Sequence, residues 1–234
     1  MCNRICFCRV ISFLVSGRRG RDKFALNMLK QSREKDMDKN RLESFSDGLF
    51  AVVITIMVLE LTAPHGTTVA SLAPLVPIFL SYVLSFVYGA IFWVKHHHLM
   101  AITQRINNAV LWANLNFLFW ISLVPFFTAW VDENHMAPVP VAAYGLSLFM
   151  VVAAYRILEI AIMRAHTPDS AVVRVLRRGR REKLSLVALG LSIPLSFVHP
   201  MLAMTIYIGV AIAWMMTKRA MRRALMSQNG SDEE

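Results

Sequence analysis

The chain has 234 residues, 56% of them hydrophobic and 17% charged, and a formal net charge of +10. So large an apolar share with so few charges excludes an ordinary water-soluble domain and places the chain among integral membrane proteins. The excess of Lys and Arg then reads as membrane topology and contact with anionic lipid, and not as binding to nucleic acid.

The chain opens on "MCNRICFCRV", where Cys2, Cys6 and Cys8 lack a fourth ligand at a recognisable spacing, so no metal site is expected there. The following apolar run is broken by Arg9 and is too short to span a bilayer, which leaves an interfacial helix as its reading. Residues 1–40 are read as a basic N-terminal cytoplasmic extension, 41–225 as a six-helix transmembrane domain, and 226–234 as an acidic tail.

Six apolar segments long enough to consider as spans follow: Leu42 to Ala63, Leu72 to Val94, Ala109 to Val131, Val139 to Met163, Leu184 to Val198 and Met201 to Thr217. His199 and Pro200 alone separate the last two, which predicts a tight helical hairpin. The first 41 residues, the loop holding Lys95 and Arg105, Arg156, the stretch Arg164 to Lys183 and the tail account for all 25 Lys and Arg. The alternate loops "TAPHGTTVAS", "DENHMAP" and "HP" carry none. Since cytoplasmic loops retain positive charge, this distribution predicts an all-α membrane protein of six spans with both termini cytoplasmic.

In the first span, Asn40 is expected to cap the helix with Glu43 in capping-box relation, and Pro64 to end it. Its polar residues divide by face. At 100° per residue, Gly48, Ala51, Val52, Leu59 and Thr62 fall within about 60° of Thr55. Ser46 and Glu60 fall on the reverse side and Asp47 on the flank, where they address neighbouring helices. The Thr55 face is small and weakly polar, and two readings stand for it: ordinary helix packing, or lining a path shared by several copies.

Pro77, Pro125 and Pro194 are read as kinks inside the second, third and fifth spans. His96, His97 and His98 point about 100° apart on a helix and do not converge on one ion, so one of them is expected as an inward hydrogen-bonding group. Asn114 and Asn116 read as interhelical hydrogen-bonding groups, and Arg156 and Glu159 as a self-neutralising pair at i, i+3. Ala171 to Arg178 reads as a short basic amphipathic helix on the inner leaflet. Motifs of hydrolases and nucleotide-binding enzymes do not occur in the sequence, and no internal duplication supports a secondary transporter.

The segment "RLESFSDG" resembles the R-x-x-x-F-S-D-[GA] signature of the prokaryotic branch of the endolysosomal potassium-channel family, and "FLSYVLSFVYGAIFWVKHH" and "NLNFLFWISLVPF" resemble its second and third helices. The resemblance covers about Arg41 to Arg223. It implies a non-enzymatic homotetrameric potassium channel of the plasma membrane, surrounded by lipid, without a T-V-G-Y-G filter and without a cofactor, potassium being the permeant ion. It further implies that Arg41, Phe45, Ser46 and Asp47 join Trp93 and a histidine of the "KHHH" run, taken as His97, in an interhelical polar network. Val52, Thr55 and Leu59 match the family's pore-facing positions, and Gly48 and Thr62, on the same face by helical phase, would line the pore with them. The family often carries Ile or Leu where this chain has Val52, so the narrowest ring stands at Val52 or one turn from it. An ion- or proton-coupled transporter using Asp47, Glu60 or a histidine is the alternative.

Overall fold

The structure is a computed structural model that describes residues 39–64, 66–168, 170–177 and 180–215. The expectations for Cys2, Cys6 and Cys8, for the acidic tail, and for nearly all of the N-terminal extension fall outside those residues. The described chain is helical apart from the segments that connect its helices. Helix α1 covers Lys39–Leu59, α2 Val76–Ile102, α3 Asn108–Ser122, α4 Val124–Glu133, α5 Pro138–Ala165, α6 Ala171–Leu176, α7 Arg180–Val198 and α8 Pro200–Met215. A 3-10 segment, Val69–Leu75, leads into α2.

Four of these stretches are long and apolar enough to cross a membrane: Lys39–Leu59, Val69–Ile102, Asn108–Glu133 and Pro138–Ala165. Helix α8, at 16 residues, is a shorter apolar helix. The structure is thus that of a multi-pass membrane protein with four membrane-span candidates among the described residues, where the apolar segments alone predict six.

Several helix boundaries depart from the sequence reading, each for a local reason. Asn40 is already helical and exposed, because the helix is under way at Lys39, so it does not cap α1. The same helix stops at Leu59, four residues before Ala63. Pro77 and Pro125 are not mid-helix kinks: each sits in the first turn of its helix, where the missing N–H has no partner to lose. Pro125 instead divides the third span in two, because its ring collides with the preceding turn and the chain restarts at Val124. Pro194 lies inside α7 as expected. Asn107 caps α3, its side chain accepting from the Val110 N–H at 3.0 Å.

Helix α5 is the central element, packed against α3, α4, α7 and α8. The predicted hairpin is present: the His199 N–H bonds the Leu195 carbonyl at 3.0 Å, and α8 begins at the next residue. Buried hydroxyls tie the helices crosswise. The Tyr88 hydroxyl donates to the Tyr207 carbonyl at 2.6 Å, and the Tyr207 hydroxyl donates to the Val141 carbonyl at 3.1 Å, joining α2, α8 and α5. Ser85, Thr128 and Tyr144 join α2, α4 and α5 in the same way, with contacts of 2.7 and 3.1 Å. In an apolar surround such pairs satisfy groups that would otherwise be costly to bury.

At the end of the bundle where α2 and α5 finish and α7 begins, charges replace hydroxyls. Lys95 Nζ contacts Glu182 Oε1 at 2.9 Å and lies 3.5 Å from the centroid of the Trp214 ring. Arg156 and Glu159 pair at 2.6 Å as expected, and the same guanidinium nitrogen reaches the Leu176 carbonyl at the end of α6. Helix α6 shows the expected two-sided character: Val172 and Leu176 are buried, Arg174 is exposed, and Ser170 caps it.

Candidate functional site

Helix α1 carries two faces with different fates. Leu42, Ser46, Phe50, Val53 and Met57, spaced by three or four residues, are all buried against the bundle. Gly48, Ala51, Val52, Thr55, Ile56, Val58 and Leu59 are exposed within this single subunit. The contrast is sharp across one residue: Val52 is 55% exposed and Val53 3%, while Met57 is 2% and Leu59 77%. Gly89 of α2 faces α1, and a Cβ there would stand in ordinary van der Waals contact, 3.7 Å from Ile54.

Four of the expected pore residues, Gly48, Val52, Thr55 and Leu59, therefore share one unburied face of α1. Thr62 does not belong to that helical face. It lies past the end of α1 in irregular chain, so a phase counted at 100° per residue no longer applies to it. The Thr55 hydroxyl donates back to the Val52 carbonyl at 2.9 Å, a local bond open to Thr on a helix. Glu60, expected to face a neighbouring helix, is exposed on the rim of an open groove between α1 and α4, with Ile56, Phe126, Trp130 and Glu133.

The polar group at the other end of α1 is assembled across three helices. The Ser46 hydroxyl donates to the Leu42 carbonyl at 2.8 Å, Asn114 Nδ2 donates to Ser46 Oγ at 3.0 Å, and His96 Nε2 meets Asn114 Oδ1 at 2.8 Å. All three side chains are buried. Beside them, the Trp93 indole N–H donates to Asp47 Oδ1 at 2.9 Å.

Ser46, Asp47 and Trp93 thus bond between helices. His97 does not: the histidine in the buried network is His96, and His97 is exposed and stacked on the Trp93 ring at 5.9 Å. Adjacent helical residues differ by 100°, which places His96 toward α3 and His97 away from it. Phe45 is 55% exposed, and Arg41 is also exposed. Asn114 was anticipated as an interhelical group, but its partnership with His96 was not. The pairing of Lys95 with Glu182 was also unforeseen, the two lying 87 residues apart.

Comparison with known proteins places this arrangement. Residues 41–125 match the family model described as endosomal/lysosomal potassium channel TMEM175. The chain is 43% identical over 189 residues to a potassium channel of Chryseobacterium sp. (strain P1-3), covering 81% of this chain and 98% of that one. It is 31% identical over 172 residues to a potassium channel of Streptomyces collinus, covering 69% and 84%. The fold is similar, at a TM-score of 0.69 and 26% identity, to the crystal structure of a lysosomal potassium-selective channel TMEM175 homolog from Chamaesiphon minutus, covering 79% of this chain and all of that one. With nearly the whole of one relative aligned and the signature helix in the matched region, the chain belongs to the TMEM175 family.

Proposed function

We propose that the protein is a potassium-permeable cation channel of the plasma membrane, conducting along an axis shared by four copies and lined by α1. Six spans with both termini cytoplasmic complete this reading, α7 and α8 forming the last two. Residues 41–225 form the channel domain, between a basic extension at 1–40 and an acidic tail at 226–234. The supporting observation is the exposed stripe Gly48, Val52, Thr55 and Leu59 on a helix whose opposite stripe is buried.

Around an axis, Val52 and Leu59 supply apolar rings that exclude water when narrow, and Thr55 between them supplies a ring of hydroxyl oxygens. A potassium ion crossing the apolar rings loses hydration, and the Thr55 oxygens partly replace it. Wetting and dewetting of the apolar rings then opens and closes the path. Ser46, Asp47, Asn114, His96 and Trp93 act on the other side of α1, holding its orientation so that the stripe faces the axis.

Single cysteines test the geometry. Replacements at Val52, Thr55 and Leu59 should react with a small water-soluble thiol reagent and lose current, while Val53→Cys and Met57→Cys should stay unmodified. Planar-bilayer recording with potassium on one side and sodium on the other tests the selectivity. A reversal potential of zero sinks the potassium assignment, and block confined to positions 53 and 57 sinks the pore assignment.

A further inference from the structure

The open groove between α1 and α4 has a volume of about 490 Å³, within the range of small-molecule sites. Glu60 follows the last residue of α1 and Glu133 is the last residue of α4, so both carboxylates stand at one mouth of it. Ser122 marks the other end, about 15 Å back along the chain at 1.5 Å per residue. The wall between is apolar: Ile56 comes from α1, and Phe126 and Trp130 come from α4 with their ring centroids 6.4 Å apart. Among the described residues neither Glu60 nor Glu133 is in an ion pair, and the neighbouring charge, Asp132, repels Glu60. The chain has no cation to bring them: residues 48–94, 106–155 and 184–217, which include this whole end of the bundle, hold no Lys or Arg. A second copy standing parallel in the same membrane brings none either.

We propose that this groove binds an amphipathic organic ammonium ion, its head between Glu60 and Glu133 and its apolar body along Ile56, Phe126 and Trp130. Each part of such a ligand meets its complement. The ammonium N–H groups donate to carboxylates that have no other cation, and an indole face attracts the same charge. The body covers aromatic and aliphatic surface that is otherwise open, Phe126 being 62% exposed. Other cations fit less well. A divalent metal needs several converging ligands, and no three His, Cys, Asp or Glu converge among the described residues. An inorganic monovalent ion gains nothing from the apolar wall. An ethanolamine phospholipid carries the right head but adds a phosphate, which here would face Glu60, Asp132 and Glu133 with no Lys or Arg to receive it. The occupant is therefore an amine without an anionic group.

The site is independent of the channel reading, and its test measures binding without flux. The full chain in phosphatidylcholine nanodiscs is titrated by calorimetry, with empty nanodiscs as the blank, against phenylbutylammonium, phenylbutanol and phenylbutyrate. The ammonium should bind about tenfold tighter than the alcohol, and the carboxylate should not bind. Glu60→Gln and Glu133→Gln should each weaken the ammonium about 3–5-fold, and together about tenfold or more, while leaving the alcohol unchanged. Trp130→Leu should weaken it about 2–5-fold. An ammonium that does not bind, that binds no tighter than the alcohol, or that binds the double variant as well as the wild type overturns the proposal. If a variant does not fold, the three probes on the wild type decide. Phosphatidylethanolamine added to the nanodiscs should not displace the ammonium; displacement that rises with its mole fraction makes the lipid the occupant and overturns the proposal. Ala129→Cys, on the groove wall, should react with a water-soluble thiol reagent, read by mass spectrometry of its peptide, and be protected by the ammonium. A cysteine there that is shielded before any amine is added means that a second copy fills the groove, which also overturns it.

Discussion

Replacing Lys95 by Met tests whether charge, in addition to apolar packing, fastens the α7–α8 hairpin to α2. Met retains an apolar stem beside Trp214 but removes the ammonium that stands 2.9 Å from Glu182 and 3.5 Å from the indole centroid. The Lys95 and Glu182 side chains are 17% and 12% exposed, so the pair lies between the solvated and the buried limits. A surface pair contributes about 0.5 kcal/mol, whereas removing one partner of a buried pair costs about 3–5 kcal/mol because a charge is left behind. The cation–π contact adds about 0.5–2 kcal/mol. For Lys95→Met the sum predicts a loss of about 2–4 kcal/mol, nearer the buried limit. Lys95→Met with Glu182→Met should recover more than half of it, since no unpaired charge then remains. The assay is denaturant unfolding of the purified protein in mild detergent, followed by circular dichroism, on the wild type, both single variants and the double variant. Single losses below about 1 kcal/mol that add to within about 0.5 kcal/mol in the double variant would refute the reasoning.

Two glycines on the central helices should respond in opposite ways. A Cβ on Gly145 of α5 would overlap the Tyr207 hydroxyl, which is buried and bonded to Val141, so Gly145→Ala should cost about 1–3 kcal/mol despite its better helix propensity. Gly89→Ala meets neighbours only at 3.7 Å and beyond and should be neutral or stabilising by about 0.5–1 kcal/mol; thermal melts of the pair decide. Asn114→Ala strands the His96 donor and should cost about 1–3 kcal/mol, with a smaller further loss on adding Ser46→Ala; strictly additive losses would mean that the network is not coupled. Thr55→Val keeps the shape of the proposed ring and removes its hydroxyl, so it should lower the potassium preference seen in bilayer recordings while leaving stability within about 0.5 kcal/mol.

The two-sided character of α1 was legible because 100° steps sort Ser46, Val53 and Met57 from Val52, Thr55 and Leu59 without tertiary information. Helix α2 offered no such phase. It is apolar nearly all round, and with three histidines in a row an error of one residue swings the side chain by 100°, enough to exchange the exposed His97 for the buried His96. Pro77 and Pro125 were placed in the right spans but at the wrong depth, since composition alone does not distinguish a kink from a first turn. Arg156 with Glu159 was visible as a local pair, whereas Lys95 with Glu182 depends on how α7 returns to α2, which no local pattern encodes.

The bond from the Thr55 hydroxyl to the Val52 carbonyl bears on the sign of the ion admitted. With its hydrogen committed to the helix backbone, the oxygen has only lone pairs to offer outward. Four such oxygens around the proposed axis would present the negative ends of their dipoles to whatever enters. An anion stripped of water there would find no donor to replace the one it lost, while a cation would find acceptors. The helix would thereby discriminate against chloride without placing a carboxylate in the path, and charge selectivity would survive neutralisation of Glu60.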